Sequence, residues 1–101
     1  MIKKRFLKTK PECKVNFKLP KDKVHDVEKV SLVGDFNDWN PAANPMKKLS
    51  NGDFSITLNL PKNSKYQFKY FVDGDEWYND EEADDYIEAP FPEAQNSLIV
   101  T

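Results

Sequence analysis

The residues of this chain best suited to chemistry are two tryptophans in polar turns. Trp39 lies between Asp38 and Asn40, and Trp77 lies beyond the turn pair Asp73-Gly74. An indole ringed by polar groups is a flat apolar platform for the C–H face of a sugar ring, whose hydroxyls the neighbouring polar side chains can bind. An isolated tryptophan more often packs in a core, but the polar flanks lead us to expect both indoles to be exposed.

Catalytic and metal-binding groups are scarce. The single histidine, His25, falls in a predicted loop, and the single cysteine, Cys13, falls at an apolar strand position, so a nucleophile held by a base is not expected. Carboxylates are frequent in residues 73–85 and best fit a solvated acidic loop rather than a glycosidase pair. Weak surface binding of calcium by this loop is an alternative, although the EF-hand glycine is missing. We predict no enzyme, no cofactor and no metal site.

Composition and charge favour one small globular domain. The chain has 101 residues, of which 39% are hydrophobic and 32% charged. No apolar run approaches the ~20 residues of a membrane helix, and a lone cysteine fits a reducing compartment, so we expect a cytoplasmic protein. We take residues 1–101 as a single domain, with residues 1–12 as a flexible N-terminal segment.

The charges are distributed unevenly along the chain. Residues 1–29 hold ten Lys/Arg and four Asp/Glu, whereas residues 73–93 hold ten acidic residues and no basic one. A nucleic-acid patch is one interpretation of the basic part. Solvated strand faces explain it better, because the lysines alternate with apolar residues. We therefore expect neither a nucleic acid nor a membrane as a partner.

Apolar residues recur with a period of two, the pattern of strands with one buried face. The alternation is clear in residues 13–19, 54–60 and 65–72, and Asn51-Gly52 and Asp73-Gly74 are strong hairpin turn signals. We expect a short central strand at residues 30–33, a final strand at 97–101 and a loop at 79–92. Short strands separated by frequent turns predict an all-β, immunoglobulin-like β-sandwich.

Three motifs in order resemble the family 48 carbohydrate-binding modules. These are the early-set domains at the N-termini of isoamylases and glycogen branching enzymes, and the glycogen-binding domain of the AMP-activated protein kinase β subunit. The likeness covers about residues 13–101. It is carried by Val-Ser-Leu-Val-Gly-Asp-Phe-Asn-Asp-Trp-Asn-Pro (30–41), Phe-Ser-Ile-Thr-Leu-Asn-Leu-Pro (54–61) and Tyr-Gln-Phe-Lys-Tyr-Phe-Val-Asp-Gly (66–74) followed by Trp77.

The resemblance implies an immunoglobulin-like (early-set) sandwich that binds α-1,4-linked glucan, such as glycogen or starch, on one face. By motif position, Trp39 and Trp77 would stack on the sugar, and Lys69 and Asn96 would hydrogen-bond its hydroxyls. The alternative is a protein-interaction module that packs on an α-glucan-processing enzyme or a regulatory subunit without binding sugar itself.

The chain departs from the kinase subunits shortly before Asn96. Pro92 and Ala94 stand at about the positions of a leucine that pierces the glucan ring and of a nearby hydroxyl, and Phe91 is a candidate replacement for that leucine.

Overall fold

The segments with alternating apolar residues form antiparallel strands in the computed structural model, which describes residues 1–24, 26–89 and 95–101. Within that part of the chain there is no α-helix, only two short 3₁₀ turns, Lys21–Lys23 and Asp35–Asn37. No helix there is long and apolar enough to cross a membrane. The strands are β1 (Ile2–Phe6), β2 (Glu12–Leu19), β3 (Val30–Gly34), β4 (Lys47–Lys48), β5 (Phe54–Pro61), β6 (Lys65–Val72), β7 (Glu76–Tyr78), β8 (Asp85–Glu88) and β9 (Gln95–Val100).

These strands form two sheets. Sheet 1 has the order β1-β2-β5-β4, and sheet 2 has the order β3-β6-β9-β8, with β7 also paired to β6. All pairings are antiparallel. The predicted fold class, an all-β sandwich of the immunoglobulin-like type, is confirmed.

The core lies between the inner faces of the two sheets. From sheet 1, Val15 and Phe17 of β2 are fully buried, and from sheet 2, Phe68 and Tyr70 of β6 are fully buried. The Phe17 and Phe68 rings meet edge to face with centroids 5.1 Å apart, a favoured arrangement of two aromatic side chains. The alternation predicted for these two strands is therefore confirmed, and it leaves the other face of each strand towards solvent.

The strands that the sequence pattern did not predict include β8 and β1. Residues 79–92 were expected to be a loop, and that expectation is wrong for β8, whose Asp-Tyr-Ile-Glu sequence has no apolar alternation but pairs with β9. At the N-terminus β1 pairs with β2, although three consecutive cations hide its period-two pattern. Lys4 points to the core side of β1 and forms an ion pair with Asp84, with Nζ and Oδ2 2.6 Å apart.

The expectation that residues 30–33 form a central strand is wrong, because β3 is the end strand of sheet 2. The free side of β3 is covered instead by an irregular segment. Leu32 N–H donates to Asn44 O (2.9 Å), and Met46 N–H donates to Val30 O (2.8 Å). This cover explains how an apolar strand can stand at a sheet edge.

Candidate functional site

The outer face of sheet 2 carries Lys69, the predicted binding residue on β6. Phe68, Tyr70 and Val72 point into the core, so Lys69 and Phe71 lie on the opposite, outer face. That alternation follows from the geometry of a strand, in which successive side chains point to opposite sides. We call the outer face of sheet 2, together with the turn that follows β3, the aromatic face.

Trp77 lies on the aromatic face as one member of a stacked pair. It is directly opposite Phe71 in the β6–β7 register, with the ring centroids 4.3 Å apart and the planes inclined by 33°. In the hairpin turn between β6 and β7, Asp73 and Gly74 have φ of 49° and 74°, as the sequence signal predicts. Trp77 is 46% exposed, which agrees with the expectation of an exposed platform.

Trp39 is held by the turn that follows β3. Its backbone N–H donates to Gly34 O, and its indole Nε1–H donates to Asp35 Oδ1, both at 2.9 Å. Asp38 and Trp39 both have φ of 56°, a left-handed conformation that costs energy in residues other than glycine. Trp39 is partly buried, so the expectation of an exposed indole is wrong for this tryptophan. Its N–H is already used within the turn.

Asp35 connects this turn to β6. While one carboxylate oxygen accepts from the Trp39 indole, the other accepts from the backbone N–H of Gln67 at 2.7 Å. Hydrogen bonds to a charged acceptor are stronger than neutral ones. Asp35 therefore fixes the indole of Trp39 relative to the strand that carries Lys69.

Gly34 and Asn37 set the path of the same turn. A Cβ on Gly34 would lie 2.5 Å from the carbonyl oxygen of Gln67, so only glycine allows this close approach to β6. The Asn37 side chain accepts from Gly34 N–H (3.1 Å) and donates to Leu32 O (2.9 Å) and to Asn44 Oδ1 (2.7 Å). The polar residues around Trp39 thus build the turn rather than line an open site.

Lys69 and Asn96 supply polar groups to the aromatic face. Lys69 stands opposite Val33 of β3, and among the described residues its ammonium group has no hydrogen-bond or ion-pair partner. Burial lowers the pKa of this lysine, because partial desolvation disfavours its charged form. Asn96 of β9 donates from Nδ2 to Gln67 Oε1 at 3.1 Å.

The structure therefore brings Lys69, Trp77 and Asn96 onto one face of sheet 2, while Trp39 is tethered at the Gln67 end of that face. Gln67 and Phe71 are four residues apart on β6, which corresponds to about 14 Å along the strand. Pro92, Ala94 and Phe91, from the segment that departs from the kinase subunits, lie outside the described residues.

Sequence reasoning missed two residues that shape the aromatic face. The pairing of Phe71 with Trp77 was not foreseen; an aromatic residue on a solvent-facing strand position was the available signal. Asp35 was not singled out. Its position four residues before Trp39 gave a weak signal, since a carboxylate in a turn often binds nearby N–H groups.

The described residues offer no arrangement of groups suited to nucleophilic catalysis or metal binding. Cys13 is fully buried in β2, and His25 lies outside the described part of the chain. No group of three or more possible metal ligands occurs within residues 1–24, 26–89 and 95–101.

The fold and the aromatic face together define a β-sandwich with aromatic, amide and ammonium groups on one outer surface, an architecture of carbohydrate-binding modules. Consistent with this class, residues 12–88 match the model of the family described as the glycogen recognition site of AMP-activated protein kinase. The chain belongs to this family. No curated protein matches it. The family is one of non-catalytic carbohydrate-binding modules, and membership supports a glycogen-binding function.

Proposed function

We propose that this protein is a non-catalytic module that binds α-1,4-linked glucan on its aromatic face. Trp77 and Trp39 stack on glucose rings, and Lys69 and Asn96 hydrogen-bond the hydroxyls. The observation that carries the proposal is the half-exposed Trp77 indole, stacked on Phe71 beside the strand position of Lys69.

Trp77 supplies most of the stacking surface in this proposal. Phe71 packs against one side of the indole at 4.3 Å, so the ring is already held in place before sugar arrives. Binding to a preordered side chain avoids the entropy cost of immobilising it. The exposed part of the indole then covers the C–H side of a glucose ring.

Lys69 and Asn96 suit the hydroxyls at the edge of the sugar. The Lys69 ammonium group offers three donors and gives up no ion pair among the described residues when it turns to a ligand. Asn96 uses one donor on Gln67 Oε1 and keeps a second amide hydrogen and its carbonyl oxygen for a ligand.

Trp39 makes the smaller aromatic contribution. It is partly buried, and its N–H donates to Asp35, so only part of the ring can meet a sugar. We therefore expect the two tryptophans to contribute unequally, with Trp77 giving the larger loss of affinity when it is replaced.

A second candidate function is docking on a protein, such as an α-glucan-processing enzyme, without sugar binding. The same exposed indole favours it, since tryptophan is enriched among the residues that dominate protein interfaces. A cytoplasmic location, suggested by the single cysteine, fits either function.

The test is an NMR titration of the protein with maltoheptaose and β-cyclodextrin, followed by backbone and indole N–H shifts. We expect shifts confined to the aromatic face, and at least tenfold weaker binding for Trp77→Ala. Phe6→Ala is the matched control, because Phe6 is also an exposed aromatic residue but lies on β1 of sheet 1. Unchanged spectra at millimolar sugar would contradict glucan binding and leave the docking function.

A further inference from the structure

β1 presents an unpaired backbone edge. It is the end strand of sheet 1 and pairs on one side only, with β2. Leu7 N–H donates to Glu12 O, so the odd-numbered residues of this ladder face β2. Because bonded and non-bonded pairs alternate in an antiparallel ladder, the N–H and C=O groups of Ile2, Lys4 and Phe6 point away from it. No strand of the described residues pairs with that edge.

The side chains on the two sides of this strand differ: two cations project on the outer face, whereas the core side carries two apolar residues and Lys4, which is paired with Asp84. Lys3 and Arg5 project on the outer face of sheet 1, and Arg5 stands directly opposite Lys14. Like charges in directly opposed positions destabilise a sheet, and none of these three cations forms an ion pair among the described residues. On the core side of the strand, Ile2 is half-buried and Phe6 is 51% exposed.

We propose that β1 is a docking edge for an extended acidic segment of a partner protein, which adds to sheet 1 as a further strand. The alternating side chains of that segment would place carboxylates beside Lys3 and Arg5, and apolar groups beside Ile2 and Phe6. Main-chain hydrogen bonds supply affinity in such strand addition, and side chains of alternating character supply specificity.

The unpaired backbone groups of β1 suit an acidic peptide better than other polyanions. A nucleic acid or an anionic membrane can neutralise the cations but cannot continue a β-ladder or cover Phe6 with matched apolar side chains. The cations select against a second copy of this chain, because pairing β1 with another β1 would oppose Lys3, Lys4 and Arg5 to like charges. A carboxylate beside Arg5 on the free edge of β1 offsets the repulsion that Arg5 experiences from Lys14 on the other side, and the Arg5 guanidinium can bind it through two hydrogen bonds.

This docking edge is on sheet 1, and the aromatic face is on sheet 2. The proposal therefore does not depend on glucan binding, and its test uses no sugar.

The test uses a seven-residue peptide of alternating valine and glutamate, blocked at both ends, and the full 101-residue protein. Two comparison peptides are needed: one with lysine in place of glutamate, and one N-methylated at the alternate amides that would bond to β1. Calorimetry measures affinity, and amide hydrogen exchange locates the peptide. We expect only the unmodified acidic peptide to bind, with new protection at the amides of Ile2, Lys4 and Phe6.

Charge reversal on the protein tests the side-chain part of the proposal. Lys3→Glu combined with Arg5→Glu should lower the affinity for the acidic peptide about tenfold or more, because two surface attractions are replaced by repulsions. Lys47→Glu combined with Lys65→Glu is the matched control, since it changes the net charge equally on exposed residues away from β1. This control should leave the affinity within about twofold.

Three results would overturn the proposal. One is equal affinity for the N-methylated and the unmodified acidic peptide, which would mean that the peptide does not add to sheet 1 as a strand. Another is protection that lies outside β1. The third is absence of acidic-peptide binding at millimolar concentration; binding to phosphatidylserine vesicles or duplex DNA in that case would show that the cations form a general polyanion surface.

Discussion

Replacing Asp35 by alanine should loosen the Trp39 turn and destabilise the protein while leaving the sandwich intact. The carboxylate accepts two hydrogen bonds, from the Trp39 indole at 2.9 Å and from Gln67 N–H at 2.7 Å. Bonds to a charged group contribute roughly 1.5–3 kcal/mol each, and Asp35 is exposed, so the lower end applies. The turn itself retains the Trp39 N–H to Gly34 O bond, so part of its structure survives.

The expected loss of unfolding free energy for Asp35→Ala is about 3 kcal/mol for the two bonds together, which for a domain of this size lowers Tm by roughly 15 °C. Asp35→Asn keeps one acceptor oxygen, so its loss should be about half as large. Thermal unfolding followed by circular dichroism measures both. Glu28→Ala is the control, because it also removes an exposed carboxylate but breaks no side-chain bond among the described residues.

Fluorescence separates the local effect from the global one. The chain has two tryptophans, so Trp77→Phe leaves Trp39 as the only emitter. In that background Asp35→Ala should shift the emission to longer wavelength, because the released indole meets more water. Unfolding curves that coincide with the parent, together with unchanged Trp39 emission, would refute the idea that Asp35 positions this indole.

Three further predictions follow from particular contacts. Gly34→Ala should lower the free energy of unfolding by about 3 kcal/mol in urea denaturation, because its Cβ would lie 2.5 Å from a β6 carbonyl oxygen; a change under 1 kcal/mol would contradict this close packing. Burial and the bond to Asp80 raise the pKa of Tyr70 well above 10.0, so the stability that this neutral phenol contributes is complete below pH 10 and declines as the pH rises further. Tyr70→Phe should show a smaller decline between pH 10 and 12 by thermal unfolding, and an equal decline would show that Tyr70 is not its source. Phe71→Leu should reduce maltoheptaose affinity about fivefold in calorimetry without unfolding the protein, because Trp77 loses its stacking partner; unchanged affinity would remove Phe71 from the site.

Local patterns predicted the parts of the fold that depend on local rules. The alternation of β2 and β6 identified which side chains enter the core, because a strand with one buried face must place apolar residues at every second position. The Asp73-Gly74 signal correctly predicted the hairpin that positions Trp77, since its backbone needs positive φ. For these elements, residues close together in the sequence determine the backbone conformation and the buried face.

The parts that were missed depend on contacts between distant segments. β8 has no apolar alternation and exists because β9 offers it a backbone ladder. The partial burial of Trp39 depends on a turn tied through Asp35 to Gln67, which is 32 residues further along the chain. Propensity and periodicity describe neighbours in sequence, so neither contact could be inferred from them.

The aromatic face is organised by one strand, and this explains why residues from separate segments can act together. β6 carries Lys69, places Phe71 under Trp77, offers a backbone N–H to the Asp35 turn, and presents Gln67 to Asn96. The alternate residues of the same strand, including Phe68, are fixed in the core. Close packing of that core therefore determines where the binding groups lie, because a shift of β6 would displace all of them at once. The rigid inner face of the strand and the proposed ligand surface on its outer face are two consequences of a single period-two pattern.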